Sequence, residues 1–210
     1  MYKYKKTLII CSILCLLPIL AGLYFWNDLP DMMVTHWDAY NQPDGYMPKA
    51  FAVFGLPLIM VAVLLLCPLA SKIDPKKPKY NDKIMLVMFW FIPVLSILCS
   101  TMTYGWALGI SFDIGFWISM FLGIIFALIG NYLPKCTPSY TMGIKLPWTL
   151  NDDENWRKTH RMAGPVWVVG GIIIALSALL KMPWLMFPVL LAMIFIPTIY
   201  SYLYYRKHNK

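Results

Sequence analysis

Three histidines are the natural places to look for chemistry in this sequence: His36, His160 and His208. His36 lies in "MMVTHWDAYNQPDGYMPKA", with Trp37 and Asp38 beside it and Asp44-Gly45 further on. If that stretch is extended, alternate residues share a face, so His36 and Asp38 point the same way. Together with Asp44 they form a weak candidate metal or ligand site, because metal sites usually draw on a further firm ligand. The competing reading is a loop whose polar side chains bond to one another. His160 lies in "GIKLPWTLNDDENWRKTHR", residues 143–161, which mixes Lys145, Arg157, Lys158 and Arg161 with Asp152, Asp153, Glu154, Trp148 and Trp156. His208 stands in the C-terminal tail. The sequence has no Gly-rich phosphate loop, no H-E-x-x-H and no G-x-S-x-G. The three histidines fall in segments that cannot share one site, so the chain reads as a non-enzyme without a cofactor.

The elements that must position these segments are membrane helices. The 210 residues are 60% hydrophobic and 13% charged, about half the charge of an ordinary soluble domain. Six apolar runs, Thr7–Phe25, Ala50–Leu69, Ile84–Tyr104, Ile114–Leu133, Gly164–Leu180 and Trp184–Tyr204, contain no Asp, Glu, Lys, Arg or His. At about 1.5 Å per residue such runs cross a hydrocarbon layer of roughly 30 Å. Lipid cannot satisfy a bare backbone, so each run is expected to be helical. The expected fold class is therefore an all-α polytopic membrane protein with six transmembrane helices. The first run is too long for a signal-peptide core and is read as a retained span. Ion-coupled transport normally needs ionisable groups within the spans, and these spans carry none.

Charge sets the expected orientation. Of the 18 Lys and Arg, Lys49 and Lys181 alone fall in the first and fifth connections. The rest lie in the N-terminal tail (Lys3, Lys5, Lys6), the second loop (Lys72, Lys76, Lys77, Lys79, Lys83), the fourth loop (Lys135, Lys145, Arg157, Lys158, Arg161) and the C-terminal tail. The positive-inside rule then places both termini in the cytoplasm. The net charge of +8 is a topology signal that favours anionic lipid; it does not call for direct nucleic-acid binding. Cys11, Cys15, Cys67, Cys99 and Cys136 are read as packing residues.

Two loops carry information. In the outward loop, residues 27–49, Pro30, Pro43 and Pro48 exclude a continuous helix, and Gln42-Pro43-Asp44-Gly45 has turn chemistry. In the inward loop, residues 134–163, Asn151 with Glu154 reads as a capping box. Asp153–Arg157 and Glu154–Lys158 then form i,i+4 pairs, and Trp156, Thr159, His160 and Ala163 one less polar face. Gly164-Pro165 is expected to end this amphipathic helix, which lies at the interface with Trp148 and Trp156 as headgroup anchors. The second loop, "SKIDPKKPKYNDK", reads as a plain linker against lipid headgroups. Gly171-x-x-x-Ala175, continuing to Ala178, suits close helix packing. Pro18, Pro57, Pro93, Pro188 and Pro197 are expected kinks.

Two patterns resemble a known family. The segment Gly130-Asn131 … Gly143-Ile144-Lys145-Leu146-Pro147-Trp148-Thr149-Leu150 … Asn155-Trp156-Arg157-Lys158-Thr159-His160-Arg161 resembles the core signature of the SdpI family. Leu29-Pro30 … Thr35-His36-Trp37 … Gln42-Pro43-Asp44-Gly45-Tyr46 … Lys49 resembles an N-terminal membrane domain of unknown function. The implied organisation is a two-helix domain over 1–83 and a four-helix domain over 84–210. The resemblance implies a bacterial cytoplasmic-membrane protein that gives immunity to a hydrophobic peptide toxin and recruits an ArsR-like repressor to the membrane. On that view His36, Trp37, Asp38, Asp44 and Gly45 face the toxin. Asn131, Gly143, Lys145, Pro147, Trp148, Thr149, Trp156, Lys158 and Arg161 form the inward, partner-facing motif. This chain has Lys145 where the family often has Arg, and a lysine cannot make the bidentate contact of a guanidinium. Two other functions fit the composition: an exporter or channel for a small or peptide substrate, and a membrane enzyme with a metal at His36, Asp38 and Asp44.

Overall fold

A computed structural model describes residues 2–38, 40–76 and 82–208. Lys77, Lys79 and Lys210, part of the expected inward charge, lie outside these residues. Among the described residues six helices are long and apolar enough to cross a membrane: Lys5–Tyr24, Phe51–Ile73, Asp82–Ala107, Ile114–Lys135, Asp153–Leu179 and Pro183–His208. The protein is an all-α polytopic membrane protein, as its six apolar runs require. The side of the bilayer that carries residues 143–161 is here termed the motif side. The opposite side carries the loop after the first span and is termed the hairpin side.

The chain divides into two compact units, one of Met1–Leu69 with Leu86–Ile114 and one of Ala70–Met85 with Gly115–Lys210. In the first unit, helix α1 (Lys5–Tyr24) leads to a two-stranded antiparallel sheet, β1 (Met32–Trp37) and β2 (Pro43–Pro48). A π-helical stretch, Phe51–Gly55, then opens α2 (Leu56–Ile73). The unit's core is Leu29, Met33, Ala52, Val53 and Tyr104, packed by Phe25, Trp26, Phe54 and Leu108. Gly22 lets α1 come close here: a Cβ would fall 2.7 Å from a Val53 methyl. Lys49 fastens the base of the sheet. Its ammonium donates to the carbonyls of Trp26 at 3.1 Å and Leu29 at 2.8 Å and lies over the Trp26 ring. Helix α3 (Asp82–Ala107) adds a buried polar stripe of Ser96, Ser100 and Thr103, and the Ser96 hydroxyl donates to the Cys15 carbonyl at 3.0 Å. Cys11 and Cys15 are fully buried packing residues.

In the second unit, α4 (Ile114–Tyr132), the short α5 (Pro147–Leu150), α6 (Asp153–Leu179) and α7 (Met186–His208) surround the motif. Small residues let α4 and α6 touch along their backbones. A Cβ on Gly123 would meet Gly171 O and Ala175 N at 2.6 Å, and one on Gly130 would meet Val168 N at 2.6 Å. This is the close packing expected of Gly171-x-x-x-Ala175.

Three local expectations are corrected. The interfacial helix does not end at Gly164-Pro165; α6 runs unbroken from Asp153 to Leu179, with Pro165 inside it. The missing N–H of Pro165 costs one ladder bond. Against that loss stands a continuous buried face of Trp156, Thr159, His160, Ala163 and Gly164. The N-cap is Asp152 rather than Asn151: its carboxylate accepts the N–H groups of Glu154 and Asn155 at 2.9 and 3.0 Å. The turn of the outward loop comes before Gln42–Gly45, because β2 begins at Pro43 and pairs with Trp37. Asp38 makes that turn with its own side chain, accepting from the N–H groups of Tyr40 at 2.8 Å and Gln42 at 2.9 Å, while Asn41 takes a positive φ.

Candidate functional site

The hairpin holds the first set of candidates. His36 pairs across the sheet with Gly45, whose missing Cβ would sit 2.7 Å from that of His36. Glycine is needed there because the two backbones approach closely. The approach sets His36 Nδ1 2.5 Å from Asp44 Oδ1, with both side chains largely in solvent. Asp38 does not join them. It follows the end of β1, and its carboxylate is engaged in the turn. Among the described residues no group of three His, Cys, Asp or Glu side chains converges to hold a metal. Trp37 packs edge-on to Trp106 at 5.9 Å between ring centroids. The exposed faces of the hairpin are Met32, Tyr40, Tyr46 and Met47.

The motif is a knot of buried polar groups. Gly143 has φ +111°, a conformation that favours glycine. A Cβ there would meet His160 Nε2 at 2.6 Å and the Trp156 ring at 2.7 Å. The vacant space lets the chain fold directly over a stacked Trp156–His160 pair, 4.0 Å between centroids. His160 is wholly buried, and its bonds fix its tautomer. The Ile144 N–H can only donate, so Nε2, 2.9 Å away, accepts. The Trp156 carbonyl can only accept, so Nδ1, at 2.8 Å, carries the proton. The imidazole is therefore neutral, since an imidazolium would have no lone pair for Ile144. The Trp156 indole N–H donates to the Cys136 carbonyl at 2.9 Å, closing the loop from its other end. Burial pushes the Cys136 thiol up to about 11.

Thr149 fixes the Leu146–Leu150 turn. Its buried hydroxyl accepts the Leu146 N–H at 3.0 Å and lies 2.9 Å from the Ile144 carbonyl. Two further residues join α6 and α5 to α7 at one serine: Asn155 Nδ2 donates to the Ser201 carbonyl at 3.1 Å, and Trp148 Nε1 to the Ser201 hydroxyl at 3.0 Å. Thr159 donates to Asn155 Oδ1 at 2.9 Å, so both the nitrogen and the oxygen of that amide are engaged.

The strongest anchor is Asp74, in the loop that read as a plain linker. It is buried. One of its oxygens accepts from the Ser139 hydroxyl at 2.6 Å, the Tyr140 and Thr141 N–H groups at 2.8 and 3.1 Å, and the Thr141 hydroxyl at 3.1 Å. The other accepts from the Lys76 N–H at 3.0 Å. Desolvation pushes this carboxyl up, but the bonds from Ser139, Lys76 and Thr141 outweigh it and hold it down at about 2. Ser139 in turn accepts from Thr141 and Met142 N–H. The end of α2 is thus tied to the loop that leads into Gly143. An acid among lysines directly after a span was the signal for Asp74; Asn155 stood within the family pattern, and Ser139 and Ser201 gave none.

The motif residues consequently separate into two sets. Gly143, Thr149 and Trp156 lie inside the knot, so Trp156 is not the headgroup anchor its sequence position suggested. Asn131, Lys145, Pro147 and Arg161 are exposed, and Trp148 is half-buried. Lys158 pairs with Glu154 at 3.0 Å and covers the Tyr204 ring at 4.6 Å. Arg157 reaches Glu154 at 3.9 Å rather than Asp153.

Comparison with known proteins gives two family matches and one full-length relative. Residues 135–201 match the SdpI/YfhL protein family, and residues 13–61 match a domain of unknown function, DUF1648. The curated protein "Immunity protein SdpI" of Bacillus subtilis (strain 168) is 27% identical over 212 residues, covering 98% of each chain. No solved structure matches. The relative is named as an immunity protein, and its family is not one of enzymes. With its six spans, its two family matches and a likeness running from end to end, this chain is a multi-pass cytoplasmic-membrane protein that is similar to the SdpI/YfhL family over residues 135–201.

Proposed function

We propose that the protein is an immunity protein that binds a hydrophobic peptide toxin on its hairpin side and holds an ArsR-like repressor at its motif side. The observation that carries this reading is the end-to-end likeness to "Immunity protein SdpI". In this reading both termini and the motif are cytoplasmic, as the lysine and arginine distribution favours, and the hairpin faces outward. Residues 1–83 form the sensing domain and residues 84–210 the effector domain.

The hairpin offers Tyr40, Tyr46, Met32 and Met47 as an exposed apolar surface, beside the His36–Asp44 pair and Trp37. Asp38 and Gly45 shape it. On the motif side, Asn131, Lys145, Pro147, Trp148, Lys158 and Arg161 form the contact surface, while Gly143, Thr149 and Trp156 hold that surface in shape. Protection comes from binding, without covalent chemistry.

The test is expression in toxin-sensitive cells. Survival should rise with the wild-type chain. Arg161→Ala should release the repressor while leaving expression unchanged, and Trp148→Ala should weaken both survival and recruitment. Unchanged survival and recruitment in both variants would remove the motif surface from the proposal. Labelling of residues 143–161 by a membrane-impermeant reagent applied to whole cells would invert the orientation.

A further inference from the structure

On the motif side a cavity of about 240 Å³ opens between Pro147, Trp148, Asn151, Asp152 and Tyr205. At roughly 30 Å³ per water it has room for about eight waters, so it suits a small polar group and falls short of a drug-sized ligand. Its walls are chemically specific. The Trp148 and Tyr205 rings stack at 6.1 Å with 30° between their planes, and Tyr202 meets the Trp148 ring edge-on at 5.5 Å. The Trp148 N–H is held by Ser201, so the indole plane is fixed before anything binds. Asp152 spends Oδ1 on the cap of α6; Oδ2 has no hydrogen-bond partner among the described residues. Aromatic faces beside a carboxylate oxygen with spare lone pairs attract a cation. The N-terminus of α6 itself repels a cation, but Asp152 and Asp153 stand at that terminus, and their formal charge exceeds the roughly half charge of the dipole.

Depth identifies the occupant. Tyr205 stands roughly 28 Å along α7 from Met186, at about 1.5 Å per residue, which is the thickness of the hydrocarbon layer. The cavity is therefore at headgroup level, where the amines present in quantity belong to lipids. We propose that this cavity is a binding site for the ammonium headgroup of a phosphatidylethanolamine-type lipid, with the ammonium between Trp148, Tyr205 and Asp152 Oδ2. The site does not depend on the immunity reading.

Asp152→Asn isolates the charge, because Asn caps a helix as well as Asp does. The purified full-length chain is titrated with POPE, POPC and POPG, and retained lipid is counted by native mass spectrometry. The wild type should retain one POPE at least about fivefold more tightly than POPG. POPC, which cannot donate N–H bonds to Asp152, should fall in between. Asp152→Asn and Tyr205→Leu should both lose the POPE preference, and Asp152→Asn should melt at the wild-type temperature. Equal retention of POPE and POPG by the wild type, or an undiminished preference in Asp152→Asn, would overturn the proposal. Asp152-dependent binding of a tetralysine peptide without POPE selectivity would also overturn it, by assigning the cavity to a protein side chain.

Discussion

The hairpin and the motif knot are built from the same residue types, and they use them in opposite ways. Each has a histidine, a tryptophan, an aspartate and a glycine that admits a close approach. In the hairpin, His36 and Asp44 meet in water, and Gly45 merely clears space for His36. In the knot, His160 is sealed off with both ring nitrogens bonded, Asp74 is caged, and Gly143 leaves room for two rings at once. An exposed pair exchanges its partner for water at little cost, whereas a buried polar group left without a partner costs about 1–3 kcal/mol. The knot is therefore the rigid part of the protein and the hairpin the adaptable part.

Mutations can break this contrast, and the largest effect is expected at Gly143. Gly143→Ala adds a positive-φ strain to a clash with His160 and Trp156, together roughly 2–5 kcal/mol. Thermal unfolding in detergent should show it, and a wild-type melting temperature would mean that the loop does not sit on the ring stack. Asp74→Ala comes next, at about 2–3 kcal/mol, because buried donors of the Ser139–Thr141 loop lose their acceptor. The same aspartate makes a pH prediction. Its carboxyl is depressed from 3.8 to about 2, so its stabilisation is complete above about pH 4 and is lost as pH falls through about 2. Melting temperatures of wild type and Asp74→Asn should differ by a constant amount above pH 4 and converge below it.

His160→Phe keeps the stack and removes both ring hydrogen bonds, with an expected loss of about 1–2 kcal/mol. Before any mutation, nitrogen NMR of the wild type should find Nδ1 protonated and Nε2 bare at neutral pH; the opposite tautomer would contradict the Ile144 contact. The smallest effect belongs to His36→Ala, less than about 1 kcal/mol and weaker still in high salt. A loss as large as that at Asp74 would show the hairpin to be a second rigid centre.

The spans were legible because lipid leaves a sequence few ways to cross it: six uncharged apolar runs became six helices, with ends displaced by a few residues except in the fifth, whose helix begins at Asp153 rather than Gly164. The small-residue contact at Gly171 and Ala175 was legible for the same reason, since backbone proximity tolerates little else. Gly164-Pro165 misled, because local propensity cannot weigh one lost ladder bond against the buried face that continues from Trp156 to Gly164. The knot was half legible. Trp156, Thr159, His160 and Ala163 showed their common face by helical spacing, but spacing does not say whether a face meets lipid, a partner or the protein itself. Asp74 and Ser139 stand 65 residues apart, and no local pattern relates them. In the hairpin, the extended segment was evident from its β-branched and aromatic residues. Its turn was not, because Asp38 and Asn41 compete with Pro43-Asp44-Gly45 for the same reversal, and the side-chain bonds of Asp38 decide it.

The π-helical stretch at Phe51–Gly55, where the Leu56 N–H reaches back to the Phe51 carbonyl, amounts to one surplus residue wound into the second span. A residue advances a helix by about 100°, so this surplus sets the angular phase between the hairpin strand and the buried Leu64 further along the same rod. Excising a single residue there would leave composition, length and hydropathy nearly untouched while swinging Leu64 about a quarter-turn off its buried face. For this protein, the indexing of one helix matters more than its oiliness.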